Sequence, residues 1–383
     1  MNRRARPSGS RLRLAGGLLG LVALLVVLAV NAIAPAAPAA TKAAAASHSC
    51  PVATGSGDAT FTRNFNPYAG SRLDFTRGAL YESLIVQTPA GPGHTYPWLA
   101  SKWAYSNGGK TLTLWMRPGT VWSDGKPLTN RDAVFSLTAG LKNKSMDNIG
   151  LTAADREISS IHTASGGRVV IKLNRVDSTF LGANLTNAFI VPQHIFAAHV
   201  GDIDKWTNPN PVGSGPFTKI TRFTGQDYVL GKNTKYWMKG APHVPCLERL
   251  AATSNDAALV QIVSGQADWS HNFVANVESA YIAHDPAHYH SYYDTQALPI
   301  GLFFDVTKYP YSIVGFRKGL SQAIDRAKVS KLGEYGYAPP TDALGIKGMW
   351  PTWEDPKLVA SAKQLATYSP ANAKKTLTAA GFT

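Results

Sequence analysis

Residues 97–137 read PWLASKWAYSNGGKTLTLWMRPGTVWSDGKPLTNRDAVFSL, and this stretch decides the fold. Within it, TLTLWMR (111–117) alternates apolar and polar side chains with the period of two that is typical of a strand with one buried face. PGT (118–120) predicts a turn into VWSDGKPLT (121–129), which contains a further Asp-Gly turn. We therefore expect a β-hairpin here.

A helix is predicted directly after this hairpin. Thr129 or Asn130 caps its N-terminus, and Ala133, Val134 and Leu137 form the apolar stripe of a helix that lies on a sheet. Other strands are predicted at RVVIKLN (168–174), DYVLGKN (227–233), CLERLAAT (246–253) and PIGLFFDV (299–306). Other helices are predicted at GALYESLIV (78–86), DAALVQIVSG (256–265), VGFRKGLSQAIDRAKVSKLG (314–333) and SPANAKKTLTAAG (369–381).

The composition is that of a folded protein with more than one domain. The chain has 383 residues, and at about 100 to 200 residues per domain this length predicts two or three globular units. A hydrophobic content of 44% excludes intrinsic disorder, and two cysteines exclude a small disulfide-dense fold. The Pro-, Gly- and Asn-rich stretch 205–223 is the best internal boundary, and a further unit begins near Asn272.

The charge distribution excludes a nucleic-acid-binding protein. The formal net charge is +14, but the first 49 residues contribute six basic residues and no acid, which leaves +8 for the rest. The remaining excess is spread along the chain without a block of five or more Lys and Arg residues. The electrostatic footprint of nucleic-acid binding is therefore missing.

Residues 1–49 are predicted to be a signal peptide or an N-terminal membrane anchor. Arg-rich residues 1–13 precede an uncharged apolar stretch, Leu14–Ala34, and Ala-rich residues follow it, in the order of a secretory signal. The apolar part is also long enough to span a bilayer as an anchor. Under both interpretations the folded part acts outside the cytoplasm, in the periplasm or at the cell surface.

Cys50 and Cys246 are disulfide candidates, because thiols can oxidise outside the cytoplasm. The alternative is one buried and one exposed thiol. Lipid modification of Cys50 is disfavoured, because the preceding residues, 47–49, lack an aliphatic side chain and the apolar stretch lies well upstream.

Common enzyme motifs are absent from the sequence. It contains no GxxxxGK[ST] phosphate loop, no HExxH zinc helix, no GxSxG nucleophile elbow and no CxxC pair. Ser214 in GSGPF is the nearest decoy, but it lacks the strand-Ser-helix context of a nucleophile, and a tight turn explains it. We therefore expect no catalytic residue, no enzymatic activity and no cofactor.

One stretch has the composition of a metal site. His284, His288 and His290 lie close to Asp285 and Asp294, but a fourth ligand at a defined spacing is not evident. A polar surface loop is the preferred interpretation, and a metal site remains an alternative.

Two acidic residues are not assigned to catalysis: the sequence predicts a structural role for one and leaves the role of the other undecided. An Asx turn explains Asp124 in WSDG without catalysis. Glu82, which follows Tyr81, is expected to face either a cleft or solvent. Aromatic residues are concentrated beside turns. Core packing is the preferred role for each of them taken alone, but a few are expected to line a cleft.

Several motifs, in the same order along the chain, resemble the family 5 solute-binding proteins of ABC importers, which include oligopeptide-, dipeptide- and nickel-binding proteins. The motifs are RGALYESLI (77–85), the quoted stretch 97–137, VPQHIF (191–196), NPVGSGPF (210–217), the K-N-x-x-Y-W motif at 232–237, GQADWS (265–270), FRKGLSQAIDR (316–326) and SPANAKKTLTAAGF (369–382). Together they cover the chain from about residue 60 to 382.

The resemblance implies an α/β fold of the bilobal type II periplasmic-binding-protein class with an extra subdomain. Residues 50–88 and 207–270 are then expected to form lobe I, residues 89–206 its inserted subdomain, and residues 271–383 part of lobe II. Family members continue beyond the helix that ends at Gly381, so the chain resembles a C-terminally truncated member whose second lobe is incomplete.

The resemblance also places candidate ligand-binding residues. They lie in the loop after NPY, at the nearby helix start, in the segment after GQAD and in the strand LFFDV. These candidates are Tyr68, Ser71, Arg72, Tyr81, Trp269, Ser270, His271, Asn272, Phe303 and Asp305.

The expected function is that of an extracytoplasmic solute-binding component that captures peptides between two lobes and delivers them to a membrane permease. The expected partners are a peptide ligand and the permease and ATPase subunits at the membrane surface, and the chain is expected to be a monomer. Two alternatives stay open: a ligand sensor or scaffold that has lost transport function, and a receptor for a metal or metal chelate such as nickel.

Overall fold

The structure is a computed structural model and describes residues 48–88, 94–152, 158–292, 301–341 and 355–382. The apolar stretch Leu14–Ala34, predicted to be a signal or an anchor, lies outside these ranges. Within them, no helix combines the length and the apolar character that crossing a bilayer requires.

The described chain combines strands and helices. The strands are β1 (Val52–Thr54), β2 (Ile85–Gln87), β3 (Thr95–Pro97), β4 (Ala100–Ser106), β5 (Thr111–Met116), β6 (Ile158–Ala164), β7 (Arg168–Leu173), β8 (Phe217–Phe223), β9 (Asp227–Lys232), β10 (Cys246–Leu250) and β11 (Trp269–Ser270). The α-helices are α1 (Asn130–Thr138), α2 (Gln193–Phe196), α3 (Asn255–Val263), α4 (Val277–Ala280), α5 (Val314–Ala323), α6 (Arg326–Gly333), α7 (Pro356–Ala366) and α8 (Pro370–Ala379). Short 3-10 or π turns lie at Ala139–Leu141, Lys144–Met146, Leu181–Leu185, Ala197–His199 and Ile282–His284.

The larger sheet has five strands in the order β11-β1-β10-β9-β8. β1 pairs in parallel with both β10 and β11, whereas β9 pairs antiparallel with β10 and β8. Cys50, just before β1, forms a disulfide with Cys246, the first residue of β10. The two predicted cysteines therefore link the central parallel strand pair covalently.

The second sheet is antiparallel, with the order β4-β5-β7-β6. β5 pairs with β4 and β7, so the predicted hairpin between 111–117 and 121–129 is wrong. Asn107 and Gly108, with φ of 52° and 60°, form the turn between β4 and β5. Left-handed residues at two successive turn positions suit the twist of a two-strand hairpin, which explains why β4 is the partner.

The turn and helix that follow β5 have the predicted form. The backbone N–H of Lys126 donates to Asp124 Oδ1 at 3.0 Å, as in an Asx turn. Thr129 caps α1 by accepting from backbone N–H, and Asp132 accepts from the Thr129 N–H at 2.8 Å to complete a capping box. Ala133 and Leu137 are buried against the second sheet.

The segment 78–86 is not helical, which corrects the prediction. Its backbone pairs with the GSG segment: the Gly215 N–H donates to the Leu80 carbonyl at 3.0 Å. A Cβ atom added to Gly213 would lie 2.1 Å from the same Leu80 oxygen, so the two backbones are in direct contact. Ser214, 1% exposed between these glycines, lies in a close-packed turn.

The main core consists of two large hydrophobic clusters. One lies between the second sheet and α1 and includes Leu112, Leu114 and Trp122. The other covers the larger sheet through Tyr228 and Leu230. The alternating apolar residues of β5 and the apolar run of β9, both predicted as strands, contribute to the centres of these clusters.

Residues 314–333 form two helices rather than the single helix predicted. Ile324 has extended backbone angles, and Asp325 begins α6 by accepting from the Lys328 N–H at 2.9 Å. Because Asp is a strong N-cap residue, it starts a new helix here instead of continuing α5.

Helix α8 has the predicted caps and packs closely on α5. Ser369 accepts from the Asn372 N–H at 3.3 Å, and Gly381 has a φ of 88°. A Cβ atom added to Gly319 of α5 would lie 2.6 Å from Cγ of Leu377, so this glycine permits the helix contact.

The predicted buried strand at 299–306 is wrong for its described part, residues 301–306. Leu302 and Phe303 are 65% and 88% exposed, and the segment has no regular secondary structure. An apolar run forms a buried strand only when a neighbouring strand pairs with it, and no strand of the described chain does so.

Candidate functional site

A pocket of about 410 Å³ opens at the carboxyl ends of the parallel strands β1 and β11. In open sheets with parallel strands, ligands commonly bind beyond this end of the strands. The lining comes from β1 and the turn after it, a second loop, β10 and the β11 region. The lining residues are Thr54, Gly55, Ser56, Asp58, Asp74, Phe75, Arg249, Trp269 and His271.

A buried guanidinium organises the polar wall of this pocket. The side chain of Arg249 is 5% exposed, and its Nε donates to Asp74 Oδ2 at 3.0 Å. Its Nη2 donates to Asp58 Oδ2 at 3.4 Å, and its Nη1 donates to the Leu250 carbonyl at 2.8 Å. A buried charge needs such partners, so this network fixes both carboxylates in place.

The pKa of Asp58 reflects this environment. Burial raises it above its ordinary value, Arg249 opposes that increase, and the neighbouring Asp74 adds to it. The two carboxylates therefore lie close enough to influence each other electrostatically.

Trp269 supplies an apolar wall. Its side chain is 57% exposed although it belongs to β11, whose backbone pairs with β1. The next residues continue along the rim, because the His271 N–H donates to the Thr54 carbonyl at 3.4 Å. A strand pairing thus brings one large exposed aromatic ring beside the charged wall.

Phe75 adds local backbone strain at the rim. Its φ is 66°, a left-handed conformation that bulky residues rarely adopt. The preceding carbonyl, of Asp74, accepts from the Tyr228 hydroxyl at 2.8 Å, which holds this turn on the sheet. Such strain is often found at functional sites.

The sequence pattern of the bacterial extracellular solute-binding proteins, family 5 (its middle region), matches residues 94–383. The chain belongs to this family. The chain is 26% identical to the periplasmic murein peptide-binding protein MppA of Escherichia coli in an alignment of 273 residues, and the match covers 64% of the chain and 48% of MppA. It is 25% identical to the glutathione-binding protein GsiB of Salmonella typhi over 293 residues, covering 74% of the chain and 52% of GsiB.

The fold also matches solved structures of family 5 relatives. One is the mannohexaose-bound periplasmic oligopeptide-binding protein of Thermotoga maritima, with a TM-score of 0.71 and 25% identity. The match covers 86% of this chain and 62% of that structure. The expected α/β fold of the periplasmic-binding-protein class is therefore confirmed, and the chain spans about half the length of the two curated relatives.

The pocket contains two of the ten predicted ligand-binding residues of this family 5 chain, Trp269 and His271. Two more predicted residues, Ser270 and Asn272, lie in the same segment. Ser270 hydrogen-bonds to Asn272, and the Asn272 amide donates to the Asn255 carbonyl at 3.3 Å. The segment 269–272 thus stays together at the pocket rim.

The other predicted residues lie elsewhere or in the core. Ser71 is exposed and accepts from the Asn64 amide at 3.0 Å, while the Arg72 guanidinium donates to the Ala69 carbonyl at 3.2 Å. Phe303 and Asp305 lie on an exposed segment, and the Asp305 carboxylate accepts from the hydroxyl and N–H of Thr307.

The two predicted tyrosines are packing residues in this structure. Tyr68 makes edge contacts with Phe189 and Phe196. Tyr81 is fully buried, and its hydroxyl accepts from the Asn208 amide at 2.7 Å. Burial raises the pKa of both hydroxyls. Neither ring lines the pocket, and their ligand-binding role stays a prediction.

Sequence patterns did not identify the charged residues of the pocket, which are Arg249, Asp58 and Asp74. A partial signal was present for Arg249, because it lies within the predicted strand CLERL, and a charged side chain that is buried in a strand needs a partner. The identity of the partners was not available from the sequence, since Asp74 and Asp58 precede Arg249 by more than 150 residues.

Glu82 lies neither in the pocket nor in solvent, contrary to expectation. It is 2% exposed and accepts from Trp98 Nε1 at 2.7 Å, from the Tyr236 hydroxyl at 2.9 Å and from Trp237 Nε1 at 3.2 Å. Burial raises its pKa to about 7, and the hydrogen bonds from Tyr236, Trp98 and Trp237 oppose that increase. Tyr236 and Trp237 of the K-N-x-x-Y-W motif thus donate hydrogen bonds to a buried carboxyl group.

The metal alternative gains no support from the part of the chain that is described. Across those ranges, no group of three or more His, Cys, Asp and Glu side chains is placed to hold a metal ion. His288 hydrogen-bonds to Asp285 at 3.1 Å on the surface, whereas Asp294 lies outside the described residues.

Proposed function

We propose that this chain is the solute-binding component of an ABC importer and that it binds a peptide in the pocket beside Trp269. The observation that carries the proposal is the position of the pocket, at the carboxyl ends of β1 and β11 in a family 5 chain. Peptide-binding and glutathione-binding relatives support a peptide as the ligand class.

Binding uses the chemistry of the lining without making or breaking bonds in the ligand. The indole of Trp269 offers apolar area, and Asp58 and Asp74 offer charged hydrogen-bond acceptors. Water completes contacts that the lining does not make, which permits different ligand side chains. The chain therefore acts as a receptor rather than an enzyme and needs no cofactor.

The proposed architecture divides the chain into lobe I (50–88 and 207–270), an inserted subdomain (89–206) and part of lobe II (271–383). Closure of the lobes by hinge motion would bring Phe303 and Asp305 toward the ligand. Outside the cytoplasm, the loaded protein would then deliver its peptide to permease and ATPase subunits.

The first test is mass spectrometry of small molecules released when the purified 383-residue chain is denatured. Peptides bound with slow dissociation survive purification, so we expect short peptides in the released fraction. Isothermal titration with a defined peptide mixture then measures affinity directly. Absence of released peptide together with absence of saturable heat would reject the proposal.

An oligosaccharide is the second candidate ligand. The Thermotoga maritima relative is described in complex with mannohexaose, and the exposed ring of Trp269 offers a flat apolar surface on which a sugar face can stack. Titration with mannohexaose in parallel with the peptides separates the two candidates.

A further inference from the structure

Asp268 joins the short strand β11 to β1 through two hydrogen bonds to one residue. Its backbone N–H donates to the Val52 carbonyl at 2.8 Å, and its carboxylate Oδ2 accepts from the Val52 N–H at 2.8 Å. β11 itself has only two residues, Trp269–Ser270. The carboxylate thus continues the strand pairing beyond the residue at which β11 begins.

The Val52 N–H depends on this side chain. Val52 is 3% exposed, so its N–H has little access to water. A buried N–H that loses its acceptor destabilises the local structure, and a hydrogen bond to an ionised carboxylate is stronger than one between neutral groups. The position of β11 on β1 therefore depends on Asp268.

The turn before Asp268 has the residue types that this contact requires. Gly265 follows the end of α3 with a φ of 73°, a conformation that favours glycine. The Gln261 carbonyl accepts from the N–H groups of Gln266 and Ala267, at 2.8 and 3.1 Å, and Ala267 is buried. The GQAD motif thus leads the chain from α3 to the carboxylate that binds β1.

Further contacts hold the same turn and β1 together. His48 Nε2 donates to the Gly265 carbonyl at 2.9 Å and lies 4.0 Å from Asp268 Oδ1. Near the other end of β1, Gln261 Oε1 accepts from the Thr54 hydroxyl. Both ends of β1 are therefore tied to α3 or to the turn that follows it.

These contacts bear on the aromatic wall of the pocket. Trp269 follows Asp268 directly, pairs with Ala53 of β1 and is 57% exposed. Because more than half of this residue faces solvent, packing around the ring restrains it little, and the backbone from which it projects sets its place. Thr54, at the end of β1, belongs to the same lining.

We infer that Asp268 is a positioning residue for ligand binding: its carboxylate holds β11 on β1 and so places the Trp269 ring in the pocket. Asp268 itself lies outside the lining, so it acts through its neighbour. A binding group that is already in place loses less conformational freedom when the ligand binds. The effect on affinity rests on the proposed function, whereas the placement of the ring is a property of the ligand-free chain.

Fluorine NMR of the 383-residue chain labelled with 5-fluorotryptophan tests the placement. The chain has nine tryptophans, and Trp269→Phe identifies the Trp269 resonance. We expect Asp268→Ala to shift or broaden this resonance and to leave most of the others in place, which a general loss of folding would not do. Asp268→Asn keeps an oxygen acceptor for the Val52 N–H and should retain most of the parental signal.

Two further variants complete the design. Asp204→Ala, which removes an exposed carboxyl outside the lining, is the matched control and should keep the parental Trp269 resonance. If Asp268→Ala does not fold, Asp268→Glu gives the same test, because its carboxylate is displaced by one methylene group and should also move the Trp269 resonance.

Isothermal titration with the defined peptide mixture measures the effect on binding. We expect Asp268→Ala to bind about tenfold more weakly than the parent chain, and Asp268→Asn and Asp204→Ala to bind within about twofold of it. An unchanged Trp269 resonance in Asp268→Ala, a moved resonance with unchanged affinity, or an Asp268→Asn variant as weak as Asp268→Ala would overturn the inference. Absence of saturable binding to the parent chain would overturn the proposed function, and the resonance would still decide whether Asp268 places the ring.

Discussion

At the scale of single residues, Glu82 makes folding stability depend on pH. Its pKa is raised from 4.5 to about 7, chiefly by burial. The folded chain therefore holds a proton that the unfolded chain releases above pH 4.5. This contribution to the free energy of unfolding is fully present below pH 4.5 and is lost as the pH rises through about 7, a decrease of roughly 3 kcal/mol.

Glu82→Gln tests this prediction, because the amide has the shape of the carboxyl but does not titrate near neutral pH. Urea unfolding at pH 5 and pH 8 should show a smaller decrease in stability for Glu82→Gln than for the parent chain. Glu278→Gln, which changes an exposed carboxyl, should keep the parental decrease. The same decrease in all three proteins would show that other groups carry the pH dependence.

At the scale of structural elements, the contact between residues 78–86 and the GSG turn depends on Gly213. A Cβ atom there would lie 2.1 Å from the Leu80 carbonyl oxygen. We expect Gly213→Ala to destabilise the fold by about 1–3 kcal/mol or more, because a backbone segment must move. Gly70→Ala is the control, since nothing lies within 4 Å of its added Cβ. Equal unfolding midpoints for the two variants would contradict the close contact.

The disulfide between Cys50 and Cys246 stabilises the pairing of β1 and β10 across 196 residues of sequence. Its loss increases the conformational freedom of the unfolded chain, so we expect the Cys50→Ser, Cys246→Ser double variant to lose about 2–5 kcal/mol. Thermal unfolding with and without dithiothreitol provides the measurement. Dithiothreitol should lower the melting temperature of the parent and leave that of the double variant unchanged.

Elements with local signals were predictable, and elements that depend on distant partners were not. Thr129 and Ser369 cap helices where the sequence predicts them, because a cap acts within one helical turn. The prediction of a hairpin at 111–129 was wrong, because strand pairing also depends on turn geometry. The Asn107-Gly108 turn connects β4 to β5, and these two strands pair instead. The segment 78–86 is not helical, because its backbone pairs with a distant turn, and no local periodicity predicts that pairing.

At the scale of the whole molecule, the candidate site is assembled from distant parts of the chain. The resemblance identified Trp269 and His271, which lie together because β11 pairs with β1. The charged wall was missed because Arg249 meets Asp58 and Asp74 only after β10 has joined the sheet. Composition showed a positively charged chain and could not reveal a pocket of opposite charge.

Ligand binding to the whole chain should appear as thermal stabilisation. A ligand that binds only the folded state adds about 2.7 kcal/mol to the free energy of unfolding at 100 times its dissociation constant. Trp269→Ala should reduce the peptide-induced increase in melting temperature, because it removes the aromatic wall of the pocket. Tyr292→Ala is the control, since it removes an aromatic ring that is 74% exposed and lies outside the pocket lining. If Trp269→Ala kept the full increase, the peptide would bind elsewhere on the protein.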